Sequence, residues 1–188
     1  MENQEEIFNN ILRSADAPGG ETKISFKKRI DENYFSKSQN PFSHFCVYFP
    51  AYDPANKLVY IGRHKKSGLW LFNGGHMEQN ELPLDTLKRK IREEWGIDIQ
   101  IKNDLKPVLV TITQIASNPA KRSCKIHYEF WFFIPQDSKT FQPDKKLSEN
   151  EFYETGWKTF DDARALSKDP NTIIGINKIE GLVKELTI

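Results

Sequence analysis

Cysteine is scarce in this chain, with only two among 188 residues. Cys46 and Cys124 lie far apart in strand-like segments and form no CxxC pair, so the sequence indicates neither a zinc site nor a disulfide framework. Such sparse and separated cysteine is typical of a protein from a reducing compartment. We therefore expect this protein to reside in one.

The chain also lacks an excess of charge of either sign. Lys and Arg total 27 and Asp and Glu total 26, so the formal net charge is +1. This balance gives no electrostatic reason to expect duplex nucleic acid or a membrane surface as a partner. The first residues are acidic and amidic rather than basic and apolar, and no apolar run approaches the roughly 20 residues of a membrane span. We therefore expect a cytoplasmic protein.

The length of the chain and the residue pattern of its first 40 positions indicate the domain organisation. A chain of 188 residues fits one domain with an appended arm. Apolar residues at helical spacing predict a helix within residues 1–14, and the mostly polar stretch 22–42 predicts a short strand around Ile24 and Phe26, then loop. We assign residues 1–40 to an N-terminal arm and 41–188 to the main domain. The oligomeric state, a homodimer included, is left open.

From Ser43 onward, aromatic and β-branched residues alternate with polar ones, which is typical of strands. Runs of this kind predict strands at HFCVYF, LVYIGRH, the short WLF, LVTITQI, IHYEFWFFI and FYETGWKTF. The segment Asp53-Pro54-Ala55-Asn56 predicts the turn between the first two. One helix is predicted with Pro83 near its first turn, Gly96 just past its end and an apolar stripe at Leu84, Leu87, Ile91 and Trp95. A second helix is predicted over 173–186. This mixture predicts an α/β sandwich with one curved mixed sheet.

The segment that begins at Gly75, GHMEQNELPLDTLKRKIREEWGI, carries the densest group of chemically active residues. It resembles the Nudix box, in which Gly, five residues, Glu and seven residues precede Arg-Glu-aliphatic-x-Glu-Glu-x-Gly-aliphatic. Eight of the nine defined positions agree, at Gly75, Glu81, Arg89, Ile91, Glu93, Glu94, Gly96 and Ile97. The ninth has Lys90 in place of glutamate. Over about residues 43–187 the chain resembles the Nudix hydrolase superfamily, which implies a Nudix-type α/β/α sandwich with a curved mixed β-sheet.

The acids near the end of the box have a chemical meaning without the family. At about 100° per residue, positions 90, 93 and 94 share one helix face beside the apolar stripe. Two carboxylates that project together repel each other and are stabilised by a hard divalent cation. An ordinary solvated helix end explains them poorly, because acids are disfavoured near a helix C-terminus. We expect Mg²⁺ or Mn²⁺ at Glu93 and Glu94.

The resemblance implies roles for the residues that match the box. Glu93 and Glu94 would be metal ligands together with the backbone carbonyl of Gly75, and Glu81 would pair with Arg89 to brace the loop against the helix. The implied reaction is metal-dependent hydrolysis of a diphosphate linkage. The implied substrate is a small molecule, a nucleoside diphosphate linked to another moiety, such as a nucleoside triphosphate or a nucleotide sugar.

A further acid is expected from outside the box. Glu151 is the best candidate as catalytic and metal-binding residue, because its ExxxxxW spacing to Trp157 is similar to that of some Nudix sequences and it lies in a predicted polar loop. Glu149 and Glu154 compete with it, and a solvated loop carboxylate is the alternative for each.

Two basic positions near the box are candidates for substrate binding. His76 directly follows Gly75, and Arg63 begins a basic stretch near the box. The alternative for this stretch is an ordinary solvated turn. His44 and His64 lie at strand edges that could line the same pocket, and His127 belongs to a strand.

Lys90 bears directly on activity, because an ammonium with an ordinary pKa of about 10.4 neither accepts a proton nor binds a cation at neutral pH. Three alternatives stay open. Lys90 replaces the charge of one metal ion and touches the diphosphate as part of the catalytic group. Alternatively, the chain is a catalytically impaired nucleotide-binding or sensor domain. In the third alternative, Lys90 turns to solvent and Glu151 supplies the essential acid.

Overall fold

The computed structural model describes residues 4–115 and 124–186, and these form an α/β fold, as predicted. The helices are α1 Gln4–Ser14, α2 Gly20–Asp31, α3 Pro83–Trp95, α4 Lys145–Glu151, α5 Phe160–Leu166 and α6 Pro170–Glu185. The strands are β1 Ser43–Tyr48, β2 Ala51–Asp53, β3 Leu58–His64, β4 Trp70–Leu71, β5 Gly74–His76, β6 Leu109–Gln114, β7 Ile126–Trp131, β8 Ile134–Pro135 and β9 Phe152–Thr159. Within the described residues, no helix is long and apolar enough to cross a membrane.

The chain divides into two compact units. The first contains the described parts of 1–48, 74–88 and 101–132, and the second contains those of 49–73, 89–100 and 133–188. The first unit holds a mixed four-stranded sheet in the order β5-β1-β7-β6, in which β1 and β7 are parallel. The second holds a five-stranded sheet in the order β4-β3-β2-β8, with β9 also paired to β3.

The strands therefore form two mixed sheets instead of the single sheet that the strand pattern predicts. The apolar run IHYEFWFFI divides into β7 in the first sheet and β8 in the second. The chain also passes from the first sheet to the second around Pro50, because β1 ends at Tyr48 and β2 begins at Ala51. Periodicity alone does not reveal such a division, since both halves of each run are apolar and β-favouring.

An aromatic core fills one face of the first sheet. Phe45 on β1 and Phe130 on β7 lie with ring centroids 5.1 Å apart. Phe8 of α1 packs on both, at 5.1 and 5.8 Å, and Phe26 of α2 packs on both, at 5.8 and 5.4 Å. Both N-terminal helices thus contribute to the core of the first unit. The division into residues 1–40 and 41–188 stays a prediction.

The strand predicted around Ile24 and Phe26 is wrong, because both residues lie in α2. Gly20 begins this helix. Phe26, Arg29 and Ile30 are its buried residues. Their spacing of three and four is helical, whereas a strand would bury alternate residues.

Helices α4 and α5 are short, and the sequence predicted neither. The Asp144 side chain caps α4 by accepting hydrogen bonds from the backbone N–H groups of Lys146 and Leu147. The Thr159 side chain caps α5 by accepting a hydrogen bond from the backbone N–H of Asp162. Each has only seven residues, too few to display an apolar stripe. The prediction that Glu151 lies in a loop is therefore wrong, because Glu151 is the last residue of α4.

Asp53 organises the turn between β2 and β3 in the second unit. Its Oδ1 accepts from the N–H groups of Ala55 and Asn56, both at 2.9 Å. Its Oδ2 accepts from Asn56 Nδ2 and from the N–H of Ser138, both at 2.8 Å. Burial by itself would raise the pKa of Asp53, but the hydrogen bonds from Ser138 and Asn56 outweigh it and hold that pKa well below its ordinary value.

We expect Asp53→Asn to lower the free energy of unfolding at pH 7 by about 1–3 kcal/mol, because the amide turns one accepting oxygen into a donor. A lowered native pKa means that the ionised carboxylate stabilises the fold above its unfolded pKa of about 3.9 and loses that effect as the pH falls below it. Denaturant unfolding at pH 7 and pH 3 should therefore show a difference between variant and wild type that shrinks with acid. Asp98→Asn, at an exposed position, is the matched control. A difference independent of pH would contradict this role of Asp53.

Candidate metal centre

Helix α3 buries the apolar face that the sequence predicts. Leu87, Ile91 and Trp95 are buried on its apolar face. Trp95 packs between Phe49 and Phe141, with ring centroids at 4.9 and 5.0 Å. This packing holds the last turn of α3, and therefore the acids at 93 and 94, in a defined orientation.

Gly96 ends α3 in a left-handed conformation, with φ of 64°. A Cβ atom built there would lie 2.8 Å from the Leu147 side chain and 2.9 Å from the Cβ of Asp144. Only glycine meets both requirements without strain. The glycine of the box therefore allows the start of α4 to approach the end of α3 within the second unit.

Glu94 is a buried carboxylate, with 4% of the residue exposed. Its Oε2 accepts a hydrogen bond of 2.9 Å from Nδ2 of the buried Asn73, and its Oε1 lies 3.8 Å from Lys90 Nζ. Asn73 was not predicted as a site residue. The only signal for Asn73 in the sequence is its position directly before Gly74 and Gly75, which precede α3. The asparagine restricts the orientation of the Glu94 carboxylate.

Glu93 lies next to two basic side chains of its own helix. Lys90 Nζ is 2.8 Å from Oε2 and Arg89 Nη1 is 3.0 Å from Oε1. Burial alone would raise the pKa of Glu93, but the hydrogen bonds from Lys90 and Arg89, together with their charges, lower it below its ordinary value. Glu93 is therefore ionised at neutral pH.

Lys90 points along the helix toward the acids. Its side chain is 20% exposed and contacts Glu93 and Glu94. Lys90 therefore does not turn to solvent, because the carboxylates one turn further along the helix attract its ammonium. The other part of that alternative, in which Glu151 supplies the essential acid, stays a prediction. The other two alternatives, charge replacement and loss of hydrolysis, are both compatible with this position.

Glu81 and Gly75 belong to the first unit. Glu81 Oε2 accepts from the N–H of Glu78 at 2.8 Å and from Thr86 Oγ1 at 2.7 Å, so Glu81 braces the loop against the first turn of α3. Its predicted pairing with Arg89 stays a prediction, as does the role of the Gly75 carbonyl. Gly75 pairs with Val47 in the β5–β1 ladder.

Glu151 lies beside basic side chains of the β3–β4 turn. Its Oε2 is 3.5 Å from His64 Nε2 and 3.3 Å from Lys66 Nζ. Burial lowers the pKa of His64 most strongly, and the charge of Glu151 opposes that shift. Of its two competitors, Glu149 is exposed with its carboxylate 3.8 Å from Lys145, and Glu154 is exposed on β9.

The two predicted substrate contacts lie in different units. Arg63 is exposed on β3, with its guanidinium 5.6 Å from the centre of the exposed Tyr153 ring. His76 Nε2 lies 3.3 Å from His127 Nε2 in the first unit. His127 lies on β7, as predicted.

The oxygen donors at the end of α3 fit a hard divalent cation. Glu93 and Glu94 present carboxylate oxygens, which Mg²⁺ and Mn²⁺ prefer. Arg89 and Lys90 contribute two positive charges against the two negative ones, so the local charge of these four residues is zero. A site with this balance suits fewer cations than one with a third acid at position 90.

Comparisons with known proteins give the family. A model described as the NUDIX domain matches residues 43–174. The structure is similar to the dihydroneopterin triphosphate pyrophosphohydrolase of E. coli, with TM-score 0.57, 18% identity and coverage of 71% of this chain and 92% of that one.

Two further solved structures are similar. A NUDIX-family hydrolase from Clostridium perfringens has TM-score 0.56, 21% identity and coverage of 74% of this chain and 97% of that one. An Ap4A hydrolase from C. elegans has TM-score 0.53, 14% identity and coverage of 75% and 98%. At these identities the likeness shows a shared fold. No curated protein matches in sequence. Because the family model covers well over half of the residues, the chain belongs to the Nudix family.

Proposed function

We propose that this protein is a divalent-metal-dependent hydrolase that cleaves the diphosphate linkage of a nucleoside diphosphate linked to another moiety, such as a nucleoside triphosphate or nucleotide sugar. The observation that carries the proposal is the buried Glu94 carboxylate, held by Asn73 beside the ionised Glu93 at the end of α3. A buried acid is costly unless a cation or hydrogen bonds stabilise it. Similar folds in the E. coli pyrophosphohydrolase and the C. elegans Ap4A hydrolase support this reaction class.

Glu93, Glu94 and Glu151 of the second unit would hold Mg²⁺ or Mn²⁺. The bound cation would neutralise charge on the phosphate oxygens and acidify a water molecule. Asn73 donates to Oε2 of Glu94, and Lys90 Nζ lies 3.8 Å from Oε1. The hydrogen bond from Asn73 would hold the Glu94 carboxylate in a fixed orientation before a cation binds.

Lys90 supplies a permanent positive charge next to these acids. Its ammonium lies 2.8 Å from Glu93 and 3.8 Å from Glu94, where it offsets their repulsion. We propose that it stands in for one metal ion and donates a hydrogen bond to a diphosphate oxygen. A charge-assisted hydrogen bond of this kind is among the stronger ones in proteins.

Arg63 is the proposed phosphate or substrate contact of the second unit. Its guanidinium is exposed on β3 and lies over the Tyr153 ring, which restricts its direction. We do not extend this proposal to His76, because its ring lies among other imidazole and thiol groups of the first unit.

The second candidate function is a nucleotide-binding or sensor domain without hydrolysis. The observation that favours it is the ion pair between Lys90 and Glu93, which satisfies a carboxylate that a cation would otherwise bind. The two candidates differ in whether product forms, since both predict that a nucleotide-like ligand binds.

The experiment is a substrate panel with and without Mg²⁺ or Mn²⁺. Nucleoside triphosphates, ADP-ribose, nucleotide sugars and dinucleoside polyphosphates are incubated with the protein, and phosphate and nucleotide release are measured. We expect cleavage of at least one class, only with metal. No release of phosphate or nucleotide from any compound of the panel, together with a ligand-induced rise in melting temperature, would contradict the hydrolase and favour the sensor. Cleavage that is equal in a chelator would contradict the metal dependence.

A further inference from the structure

A second group of potential ligands lies on one face of the first sheet, opposite its aromatic core. Residues alternate between the two faces of a strand, so His44 and Cys46 of β1 share the face that Phe45 does not occupy. In the β1–β7 register His44 is opposite His127, and in the β1–β5 register Cys46 is opposite His76. The pairing of three strands therefore brings three imidazoles and a thiol together.

The donor atoms of these four residues converge. One ligand atom from each of His44, Cys46, His76 and His127 lies within 4.8 Å of the others. The Nε2 atoms of His76 and His127 are 3.3 Å apart. With Zn–N bonds of about 2.05 Å, neighbouring nitrogen ligands of a tetrahedral zinc ion lie about 3.3 Å apart.

His44 is oriented as a metal-binding imidazole. Its Nδ1 is 2.9 Å from the carbonyl oxygen of Asn40, and since a carbonyl only accepts, Nδ1 carries the proton. Nε2 then has a free lone pair, and among the described residues this buried atom has no hydrogen-bond partner. Ligating histidines commonly donate their other ring N–H to a carbonyl in this way.

The four residues differ in how deeply they are buried. His44 and Cys46 are buried, whereas His76 and His127 are half-buried, so an ion could approach from their side.

We infer that β1, β5 and β7 form a transition-metal site, with Zn²⁺ bound by Nε2 of His44, His76 and His127 and by the Cys46 thiolate. Nitrogen and sulfur donors in tetrahedral arrangement favour Zn²⁺ over Mg²⁺. Binding releases the thiol proton of Cys46 to solvent. Whichever of His76 and His127 carries its proton on Nε2 changes tautomer, so that this proton leaves Nε2 and Nδ1 of the same ring is protonated from solvent. Cys124 lies beside His76 and is not one of the four ligands. The acids of the proposed hydrolase site, Glu93, Glu94 and Glu151, all belong to the second unit, so this inference does not rest on the proposed function.

The test uses the full chain, stripped of metal by a chelator and titrated with Zn²⁺, or with Co²⁺ as a spectroscopic substitute. With excess Mg²⁺ present to occupy the acids of α3, we expect one Zn²⁺ or Co²⁺ ion per chain and a thiolate-to-cobalt charge-transfer band. Cys46→Ser should abolish the band, and His44→Gln should weaken Zn²⁺ binding by at least about 100-fold. Circular dichroism checks that each variant is folded.

Matched variants separate this site from other histidines, sulfurs and acids. His64→Gln in the second unit and Cys124→Ser should both keep the one-to-one stoichiometry and the band, and Glu94→Gln should keep Zn²⁺ binding. Wild-type protein that binds no Zn²⁺, or Zn²⁺ that excess Mg²⁺ displaces, would overturn the site, even if a variant fails to fold. A band that survives Cys46→Ser but disappears in Cys124→Ser would overturn the ligand set.

Discussion

Glu94→Gln is expected to reduce metal-dependent turnover about 100- to 1,000-fold while the protein stays folded. The substitution keeps the shape of the side chain and removes one negative charge that would bind the cation. Asn73 still donates to the remaining side-chain oxygen, and Lys90 keeps its closer contact with Glu93 at 2.8 Å. The variant should therefore lose Mg²⁺ binding without losing the packing of α3.

The measurement is kcat/KM on the best substrate of the panel, with Mg²⁺ affinity followed by calorimetry. Glu185→Gln, the same chemical change at an exposed position at the end of α6, is the matched control and should leave both values unchanged. Turnover retained in Glu94→Gln would contradict the assignment of the site to α3. An equal loss of kcat/KM and Mg²⁺ affinity in Glu185→Gln would mean that the substitution acts through the net charge of the protein and not through the site.

Lys90→Glu is expected to make the site bind more divalent cation and to raise kcat at saturating Mg²⁺. The variant brings a third carboxylate next to Glu93 and Glu94 and removes the ammonium that contacts both. Without metal, the repulsion among the acids should lower the free energy of unfolding by about 1–2 kcal/mol. Bound Mg²⁺ should restore it, because a ligand that binds only the native state stabilises that state.

Unfolding with and without Mg²⁺ and steady-state kinetics over a range of Mg²⁺ concentrations test this expectation. Lys168→Glu, the same charge reversal at an exposed position, is the control and should change neither quantity. A lower kcat in Lys90→Glu, with metal bound, would contradict the expectation and identify a productive role for the lysine in the reaction. Unchanged metal stoichiometry would contradict the view that Lys90 stands in for a cation.

Much of the region around the box could be predicted from the sequence, because the information there is local. The apolar stripe at helical spacing, Pro83 and Gly96 predicted α3 with bounds that the structure confirms. The strand runs were also found, since alternating aromatic and β-branched residues are a local signal. Helix α2 could not be predicted in this way, because its buried Phe26 and Ile30 are two apolar residues in a mostly polar segment.

The two site features that sequence reasoning missed both depend on contacts between distant residues. Asn73 contacts Glu94 across 21 positions of the chain, and no local pattern indicates that pairing. The absence of a CxxC pair indicated no zinc site, yet His44, Cys46, His76 and His127 come together through strand register. Ligand spacing along a chain predicts metal sites only when neighbouring residues supply the ligands.

The sequence by itself determined the family resemblance, the position of α3 and the face that carries Lys90, Glu93 and Glu94, because a helix converts spacing directly into geometry. Only the tertiary structure decided that Asn73 orients Glu94 and that imidazoles from three strands meet. Side-chain direction and strand register depend on which distant groups become neighbours. Those neighbours are selected by the packing of the whole fold.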